Sequence, residues 1–364
     1  MPARCSSNVR LGPSAVGRKN PAGLELCHAC VRVVKVIKDL SFLEYLLKFD
    51  AGVIITFHME KSTPPSLPRV IAIVGPTASG KTRLAINLAR RFNGEIVSAD
   101  SRQIYRGMNI GTAKPSNDEL AAIPHHLIDI KNPDEEYSVA DYKKDAIAAM
   151  QVIIQKNKLP FLVGGTGLYV NAVIQNLDIP EVKADPQLRA RLEKEIKANG
   201  LPAVFQKLVA LDPDAETLVD AKNPRRVVRA LEVALATGKP FTAQRNKNEP
   251  TVSALVLGLH PEETVLRERI NARAEAMIKN GLVPEVENLL QHYGENRTAF
   301  DSIGYREVIE FKKGVITLEE AAVKIKMNTW HYAKRQMTWF KKDPTIHWIE
   351  NEDPAARAIE DFLQ

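Results

Sequence analysis

The pattern G-x-x-x-x-G-K-T occupies Gly75-Pro76-Thr77-Ala78-Ser79-Gly80-Lys81-Thr82, directly after the apolar run at residues 70–74. A strand that leads into such a stretch is typical of a phosphate-binding loop, because the glycines let backbone N–H groups turn toward phosphate oxygens and the following helix points its positive dipole end at them. Lys81 adds a positive charge, and the hydroxyl of Thr82 is placed to bind Mg2+. Apolar residues behind the loop recur at helical spacing, at Leu84, Ala85, Leu88 and Ala89. The stretch therefore predicts that a di- or triphosphate binds at the end of a strand.

The bulk composition is that of a soluble globular protein. Of the 364 residues, 45% are hydrophobic and 26% are charged, which argues against disorder over most of the length. The length predicts two domains, or one domain with a large insertion. A formal charge of +6 and a pI near 9.0 mildly favour polyanionic partners. The longest apolar run near the N-terminus, at residues 51–57, is far too short to span a membrane.

All three cysteines, Cys5, Cys27 and Cys30, precede the phosphate-binding loop. The body of the protein therefore has no disulfide and no thiolate metal site. Cys27 and Cys30 have the C-x-x-C spacing of a zinc half-site, but no second cysteine pair exists to complete four ligands. We do not expect a metal to bind there.

Residues 1–66 form an N-terminal extension that differs from the rest of the chain. Residues 1–24 contain arginines and a lysine but no acidic residue, and residues 62–68 read as a Pro/Ser linker. An acid-free, Arg- and Ser-containing start is typical of a transit peptide. Alternatively, the segment is translated upstream sequence, because Met59 stands just before the phosphate-binding loop. We favour the second interpretation, since residues 31–57 lack a sustained amphipathic period, and expect no chemistry from the extension.

From residue 69 onward, short apolar runs alternate with helical segments, which predicts βαβ units and a parallel sheet. The candidate strands are residues 70–74, 95–99, 127–130, 161–163 and 254–259, with a last one at 345–349. This predicts an α/β fold with a P-loop nucleoside-triphosphate-hydrolase-like core at residues 67–182 and 251–350. Functional residues in such sheets gather at the carboxyl ends of the strands. Asp100 follows the second strand, and Gly164-Gly165-Thr166 follows the fourth.

Residues 183–250 interrupt the alternation with helices only, which predicts a helical insertion domain. Asp185-Pro186 and Asn223-Pro224 are helix starts, and Gly200 and Gly238 are the matching ends. Insertions of this kind often act as lids. Further helices are predicted after His260-Pro261 and at residues 317–342, and residues 351–364 are treated as a C-terminal tail.

The phosphate-binding loop first suggests a small-molecule kinase that uses ATP. Apart from Asp100, however, the strand ends lack the usual aspartate for Mg2+ and its water ligands, and the fourth strand runs into two glycines. Asp100 itself fits a ligand to a magnesium-bound water, a general base, or simply a solvated helix N-cap. Its position at a strand end that faces the loop favours one of the first two roles.

Basic residues cluster in two places, around residues 222–229 and at residues 334–342, where aromatic side chains lie among them. Basic charge interleaved with aromatic rings suits a nucleic acid, through phosphate contacts and base stacking. A charged helix face that only meets solvent is an equally good interpretation at this point.

Six motifs, in order, resemble the tRNA dimethylallyltransferase family. They are Asp100-Ser101-Arg102-Gln103-Ile104-Tyr105, Gly111-Thr112-Ala113-Lys114-Pro115, Gly164-Gly165-Thr166-Gly167-Leu168-Tyr169, Asn223-Pro224-Arg225-Arg226, Ile303-Gly304-Tyr305 and Tyr332-Ala333-Lys334-Arg335-Gln336-Met337-Thr338-Trp339. The resemblance covers about residues 69–350. The zinc finger of many eukaryotic members is missing, because no cysteine follows Cys30. The resemblance therefore favours a bacterial, cytoplasmic enzyme and weakens the transit-peptide interpretation.

The resemblance implies transfer of a dimethylallyl group from its diphosphate to N6 of the adenosine 3′-adjacent to the anticodon of tRNA, with release of diphosphate. The partners are then dimethylallyl diphosphate and a tRNA anticodon stem-loop, the cofactor is Mg2+, and no membrane is involved. We expect a monomer. A loop that fits the phosphates of ATP fits a diphosphate leaving group equally well.

The resemblance also implies roles for individual residues. Asp100 would accept the proton from N6, Lys81 and Arg273 would hold the diphosphate together with loop residues 75–82, and Thr82 would bind Mg2+. Thr166 is implied as a further catalytic residue close to the nucleotide. Contacts with tRNA are implied for Asp100, Ser101, Arg102, Gln103, Thr166, Arg189, Arg225, Arg226, Val227, Val228 and Arg229.

Overall fold

The computed structural model describes residues 45–48, 54–57, 67–180, 182–244, 248–295 and 297–364. The chain divides into two compact units, Met1–Ser66 and Leu67–Gln364. In the first unit, strands β1 (Tyr45–Lys48) and β2 (Ile54–Phe57) form an antiparallel pair. The three cysteines of the sequence lie outside the described residues.

A six-stranded, entirely parallel sheet forms the centre of the second unit, with the strand order β5-β4-β6-β3-β7-β8. Its strands are β3 (Arg69–Val74), β4 (Gly94–Ser98), β5 (His125–His126), β6 (Leu159–Gly164), β7 (Ser253–Leu259) and β8 (His347–Ile349). The predicted α/β fold is confirmed, and five of the predicted strands match β3, β4, β6, β7 and β8 to within two residues.

The strand predicted at residues 127–130 is wrong. The strand at this edge of the sheet is the short β5, which ends before Leu127. Leu127 and Asp129 have backbone φ angles of 63° and 55°, and such left-handed conformations end an extended strand. The apolar side chains that suggested a strand instead pack into two different clusters. Leu127 packs against the cluster between the sheet and the helices Val139–Gln155 and Gly167–Ile174, and Ile130 packs among the C-terminal helices.

Thirteen α-helices accompany the sheet within the described residues. They are α1 (Lys81–Arg91), α2 (Asn117–Ala122), α3 (Val139–Gln155), α4 (Gly167–Ile174), α5 (Pro186–Asn199), α6 (Leu201–Leu211), α7 (Ala215–Leu218), α8 (Pro224–Thr237), α9 (Glu263–Lys279), α10 (Leu282–Tyr293), α11 (Tyr305–Lys312), α12 (Leu318–Phe340) and α13 (Glu352–Leu363). Among them, none is long and apolar enough to cross a membrane.

Alternation along the strands places the two faces of the sheet in separate cores. Ile71 and Ile73 of β3 point toward α1 and α13, whereas Val70, Ala72 and Val74 point toward α3 and α4. A parallel sheet that is covered on both faces buries almost every strand residue, which explains the continuous apolar runs in the sequence. In such a sheet, ligands bind at the carboxyl ends of the strands.

The C-terminal segment is not an extended tail. Residues 352–363 form α13, in which Ala355, Ala356 and Ile359 are buried against the sheet. A cap from Asn351 starts this helix, because its side chain accepts a hydrogen bond from the N–H of Asp353. The helix therefore completes one of the two layers that cover the sheet.

The helices between α4 and β7 have a hydrophobic core of their own, formed mainly by α5, α6 and α8. The predicted helix starts are confirmed. The Asp185 side chain accepts hydrogen bonds from two N–H groups of α5, and the Asn223 side chain accepts one from Arg226 of α8. Gly238 ends α8 with a φ angle of 66°, a conformation that favours glycine.

Candidate active site

The carboxyl ends of β3, β4 and β6 bring three stretches of sequence together. The phosphate-binding loop follows β3, Asp100 follows β4, and Gly165 and Thr166 follow β6. Since these strands are neighbours in the sheet, their ends meet on one edge. Backbone hydrogen bonds fasten two of them, because Ala99 N donates to Val163 O at 2.7 Å and Thr166 N donates to Ala99 O at 3.1 Å.

The phosphate-binding loop presents the start of α1 without a competing side chain. Gly80 precedes α1 with a φ angle of 92°, and within the described residues no side chain caps this helix. The N–H groups of its first turn are therefore available to an anion. Thr82 lies in this turn and is half-buried.

Two cations lie beside the loop. The Lys81 Nζ donates to Pro76 O at 3.1 Å, and the Arg273 Nη1 lies 3.4 Å from Thr77 Oγ1. Burial lowers the pKa of Lys81 from 10.5 to about 8, the Asp100 carboxylate opposes this shift, and the Arg273 guanidinium adds to it. Such a lysine gains most from a diphosphate, which would supply the missing counter-charge.

Asp100 borders a cavity of about 580 Å³ that Thr77 and Lys81 of the phosphate-binding loop also line. The cavity is lined by Thr77, Lys81, Asp100, Ser101, Arg102, Gly111, Thr112, Ala113, Arg225, Ile270, Arg273, Ala274, Met277, Asp301, Ser302, Ile303, Arg306, Ile325, Asn328, Thr329, His331, Tyr332, Arg335 and Gln336. Seven predicted site residues therefore lie around one space: Thr77, Lys81, Asp100, Ser101, Arg102, Arg225 and Arg273.

The carboxylate of Asp100 is half-buried and does not cap a helix, since residues 101–104 form turns. Its Oδ1 accepts a hydrogen bond from Arg102 N at 2.9 Å. In the described part of the chain we find no further hydrogen bond to this carboxylate. Asp100 therefore has acceptor positions left for a group in the cavity.

Thr166 is not among the residues that line the cavity, but it is hydrogen-bonded to Ser101, which lines it. The Thr166 Oγ1 accepts a hydrogen bond from Ser101 N at 3.1 Å. The Thr166 hydroxyl also donates to Ser101 Oγ at 3.4 Å. Tyr332 lines the same cavity, and burial, together with the Asp100 charge, raises the pKa of Tyr332 to about 12. The phenol therefore stays protonated at neutral pH.

Gln103 does not line the cavity. Its Nε2 donates to the carbonyl oxygens of Thr112 and Ala113 at 3.4 and 3.3 Å. It thus holds the loop at residues 111–113, which does line the cavity. The predicted contact of Gln103 with a nucleotide stays a prediction.

The structure divides the predicted tRNA-binding residues of the helical insertion. The side chains of Val227 and Val228 lie in the insertion core, 0% and 8% exposed, so we withdraw their predicted contacts with tRNA. The resemblance covered residues 225–229 as one block, but helical periodicity turns its two valines inward. Arg225 and Arg226 are exposed, and only Arg225 borders the cavity.

Arg189 and Arg229 both bind the buried carboxylate of Glu232. Arg189 donates from Nε at 2.9 Å and from Nη2 at 2.8 Å, and Arg229 Nη1 donates at 2.6 Å. Burial acts to raise the pKa of Glu232, but the hydrogen bonds from Arg189, Asp185 N and Arg229 outweigh it and lower the pKa to about 2. Both arginines therefore stabilise the insertion, which reduces the charge that they offer to a ligand.

Apart from Arg335, which belongs to the basic cluster at residues 334–342, sequence reasoning assigned no role to the residues that the C-terminal part of the chain brings to the cavity. Those with polar side chains are Asp301, Ser302, Arg306, Asn328, Thr329, His331, Tyr332, Arg335 and Gln336. The signal was present in the basic and aromatic pattern of residues 330–342, but the pattern alone does not say which helix face meets the sheet.

A parallel sheet with a phosphate-binding loop at its carboxyl edge and a carboxylate across the cavity defines a P-loop protein equipped for more than nucleotide binding. The model of the IPP transferase family matches residues 103–343. This chain belongs to the IPP transferase family.

Relatives with curated names agree with this assignment. The chain is 44% identical over 288 residues to a tRNA dimethylallyltransferase of Halalkalibacterium halodurans, covering 78% of this chain and 92% of the relative. It is 48% identical over 278 residues to a tRNA dimethylallyltransferase of a Roseiflexus species, covering 76% and 91%.

Solved structures are similar as well. The tRNA isopentenylpyrophosphate transferase of Bacillus halodurans matches with a TM-score of 0.60 and 41% identity, over 81% of this chain and 95% of that one. A eukaryotic dimethylallyltransferase acting on tRNA matches with a TM-score of 0.67 and 26% identity, over 81% and 79%. The fold and the sequence therefore give the same assignment.

Proposed function

We propose that this protein transfers a dimethylallyl group from dimethylallyl diphosphate to N6 of the adenosine 3′-adjacent to the anticodon in tRNA. The observation that carries the proposal is that Lys81, Arg273 and Asp100 line one cavity. Lys81 and Arg273 lie beside the phosphate-binding loop, and Asp100 lies just past the end of β4. This arrangement separates a place for the leaving group from a place for the attacking nitrogen. The similarity to curated tRNA dimethylallyltransferases supports the same reaction.

The chain's own groups suit both halves of the reaction. As the bond between the allylic carbon and the diphosphate oxygen breaks, its electron pair leaves with diphosphate, and Lys81, Arg273 and the N–H groups of the loop stabilise that charge. N6 forms the new bond to the allylic carbon, and Asp100 accepts the proton that N6 loses. No phosphoryl group moves, so a kinase is not required to explain the loop.

Mg2+ fits this site through oxygen ligands. In the described residues we find no group of three or more His, Cys, Asp or Glu side chains that could hold a metal by itself. Mg2+ typically binds through one or two protein oxygens together with substrate phosphates and water. The Thr82 hydroxyl in the first turn of α1 would be the protein ligand, and the bound ion would supply further positive charge for the diphosphate.

The acceptor adenosine must leave its stack to reach a cavity of this kind, at a cost of a few kcal/mol. Arginines around the cavity suit the phosphates of a nucleic acid, namely Arg102, Arg225, Arg306 and Arg335. Their contacts with the anticodon arm would offset the cost of turning the base out. We expect Ser101 and Thr166 to contact the base itself, since both lie beside Asp100.

We further propose that the protein acts as a monomer in the cytoplasm. Light scattering during size-exclusion chromatography, with and without tRNA, measures the mass that tests this proposal.

The proposed function is tested with purified protein, unmodified tRNA, Mg2+ and radiolabelled dimethylallyl diphosphate, followed by nucleoside analysis. We expect label on N6 of the adenosine next to the anticodon, and none on a matched tRNA that has guanosine at that position. A parallel reaction with γ-labelled ATP tests the kinase alternative. Absence of label on tRNA together with phosphate transfer from ATP would overturn the proposal.

A further inference from the structure

Gly164, which ends β6, and Gly165, which follows it, have a steric explanation that neither the diphosphate nor the proton transfer requires. A Cβ atom added to Gly164 would lie 2.1 Å from the carbonyl oxygen of Ala99. A Cβ atom added to Gly165 would lie 2.2 Å from Nε2 of Gln336. The first glycine therefore lets the strand that carries Asp100 come close, and the second admits the side chain of Gln336.

The side-chain amide of Gln336 accepts one hydrogen bond and donates another. Gln336 lies on α12 and is only 6% exposed. Its Oε1 accepts from Thr77 N at 2.9 Å, and its Nε2 donates to Gly165 O at 2.9 Å. One partner is a donor and the other is an acceptor, so a single amide orientation satisfies both.

The two partners belong to opposite sides of the cavity. Thr77 is part of the phosphate-binding loop, and its hydroxyl lies 3.4 Å from Arg273. Gly165 precedes Thr166, whose Oγ1 holds Ser101 N beside Asp100. The ladder between β3 and β6 ends at the pair Val74 and Gly164. Gln336 therefore connects the two loops immediately beyond the point where the sheet stops holding them together.

We propose that Gln336 is a positioning residue that sets the separation between the diphosphate and the acceptor adenosine. The inference rests on the proposed transferase function and assigns Gln336 a role through Thr77 and Gly165, not through contact with the reacting atoms. Displacement prenylation requires the allylic carbon and N6 to be aligned within van der Waals contact. An error of about 1 Å in such an alignment can cost on the order of 100-fold in rate.

The main test is Gln336→Met, which keeps the length of the side chain and removes both hydrogen bonds. We expect kcat to fall on the order of 100-fold, while KM for dimethylallyl diphosphate and for tRNA changes little. The matched control is Phe340→Leu on the same helix. Phe340 is 2% exposed, packs in the cluster between the sheet and helices α3 and α4, and does not line the cavity. We expect this control variant to have a lower melting temperature. At temperatures where it is folded, its kcat should equal that of the wild type.

A double-mutant cycle gives a second test that does not depend on one variant. Gly165→Ala should displace Gln336 and lower kcat in the wild-type background. In the Gln336→Ala background, the same change should add much less, since no long side chain remains to be displaced. Gly165 does not have a left-handed backbone conformation, so the effect of its methyl group comes from contacts.

Three outcomes would overturn this inference. The first two are additive effects in the cycle, and a loss of stability in Gln336→Met with kcat no lower than in Phe340→Leu. An increase in KM for the donor with unchanged kcat would also overturn it, because it would make Gln336 part of binding alone. Wild-type transfer, measured alongside, separates these results from failure of the proposed function. If the wild-type protein transfers no label, the function fails and this inference fails with it.

Discussion

Strand β4 has one carboxylate near each end, and the surroundings of the two are opposite. Glu95, near the start, is 1% exposed and accepts hydrogen bonds from Lys158 and Lys156 at 2.9 and 3.1 Å; His126 Nε2 lies 2.8 Å away. Asp100, just past the end, is half-buried in the cavity lining and accepts one hydrogen bond from Arg102 N.

The difference shows how one strand supplies both stability and chemistry. Burial acts to raise the pKa of Glu95, but hydrogen bonds from Lys158, His126 and Lys156 outweigh it and lower the pKa to about 2. A carboxylate whose oxygens are occupied in this way contributes to folding and does not accept a proton at neutral pH. Asp100 keeps acceptor positions available, which a general base requires.

Replacing Asp100 should give the largest effect on activity. In Asp100→Asn, the amide cannot accept the proton from N6, so we expect the rate of label transfer in a single turnover to fall by about 1000-fold. The melting temperature and the affinity for tRNA should stay close to those of the wild type, because the amide can still accept from Arg102 N. A rate within a few-fold of the wild type would contradict the role of general base.

Replacing Glu95 should have the opposite profile. Glu95→Gln leaves three basic side chains without their buried counter-charge, so we expect the free energy of unfolding to fall by about 3 kcal/mol. Urea denaturation measures this loss, and kcat at 25 °C should be unchanged.

The pH dependence of the Glu95 effect has a definite sign. The pKa is lower in the folded state, about 2, than its ordinary value of 4.5. The stabilisation is therefore fully present above pH 4.5 and is lost as pH falls toward 2. The difference between wild type and Glu95→Gln should shrink over this window; a constant difference would show that packing, not charge, is responsible.

The phosphate side of the cavity has its own titration, which should be smaller in effect. The pKa of Lys81 is lowered to about 8, so the ligand-free enzyme loses this positive charge as pH rises through that value. We expect kcat/KM for dimethylallyl diphosphate to fall about tenfold for each pH unit above this point. Lys81→Arg should be less active at pH 7 but should lack this decline, because arginine stays charged. An identical alkaline decline in the variant would exclude Lys81 as its origin.

The smallest expected effect extends the comparison to arginines of the helical insertion. Arg225 is exposed at the cavity, whereas Arg189 is bound to Glu232. Arg225→Ala should weaken tRNA binding modestly and reduce the slope of log affinity against log salt by about 1. Arg189→Ala should lower the melting temperature and leave that slope unchanged. Equal slopes for both variants would show that Glu232 does not withhold Arg189 from the RNA.

Local signals in the sequence were sufficient for much of the fold and part of the site. The glycine and lysine pattern at residues 75–82 identified the loop, and caps such as Asp185 and Asn223 located helix starts. Asp100, Lys81 and Arg273 do share one cavity, as expected from strand ends and from the family resemblance. The strand at residues 127–130 failed because backbone conformation at Leu127 and Asp129 overrides their apolar neighbours.

The sequence by itself determined the features that are encoded within a few residues of one another, namely apolar periodicity, turn glycines and helix caps. The energies of these features depend on local backbone geometry. Only the tertiary structure decided which charged and polar groups remain available. Glu232 binds Arg189 across 43 positions, and Gln336 reaches Thr77 across 259. Such contacts form only when separate elements pack together. A hydrogen bond requires the donor and acceptor to be placed to within a few tenths of an ångström, and no single stretch of chain controls that placement.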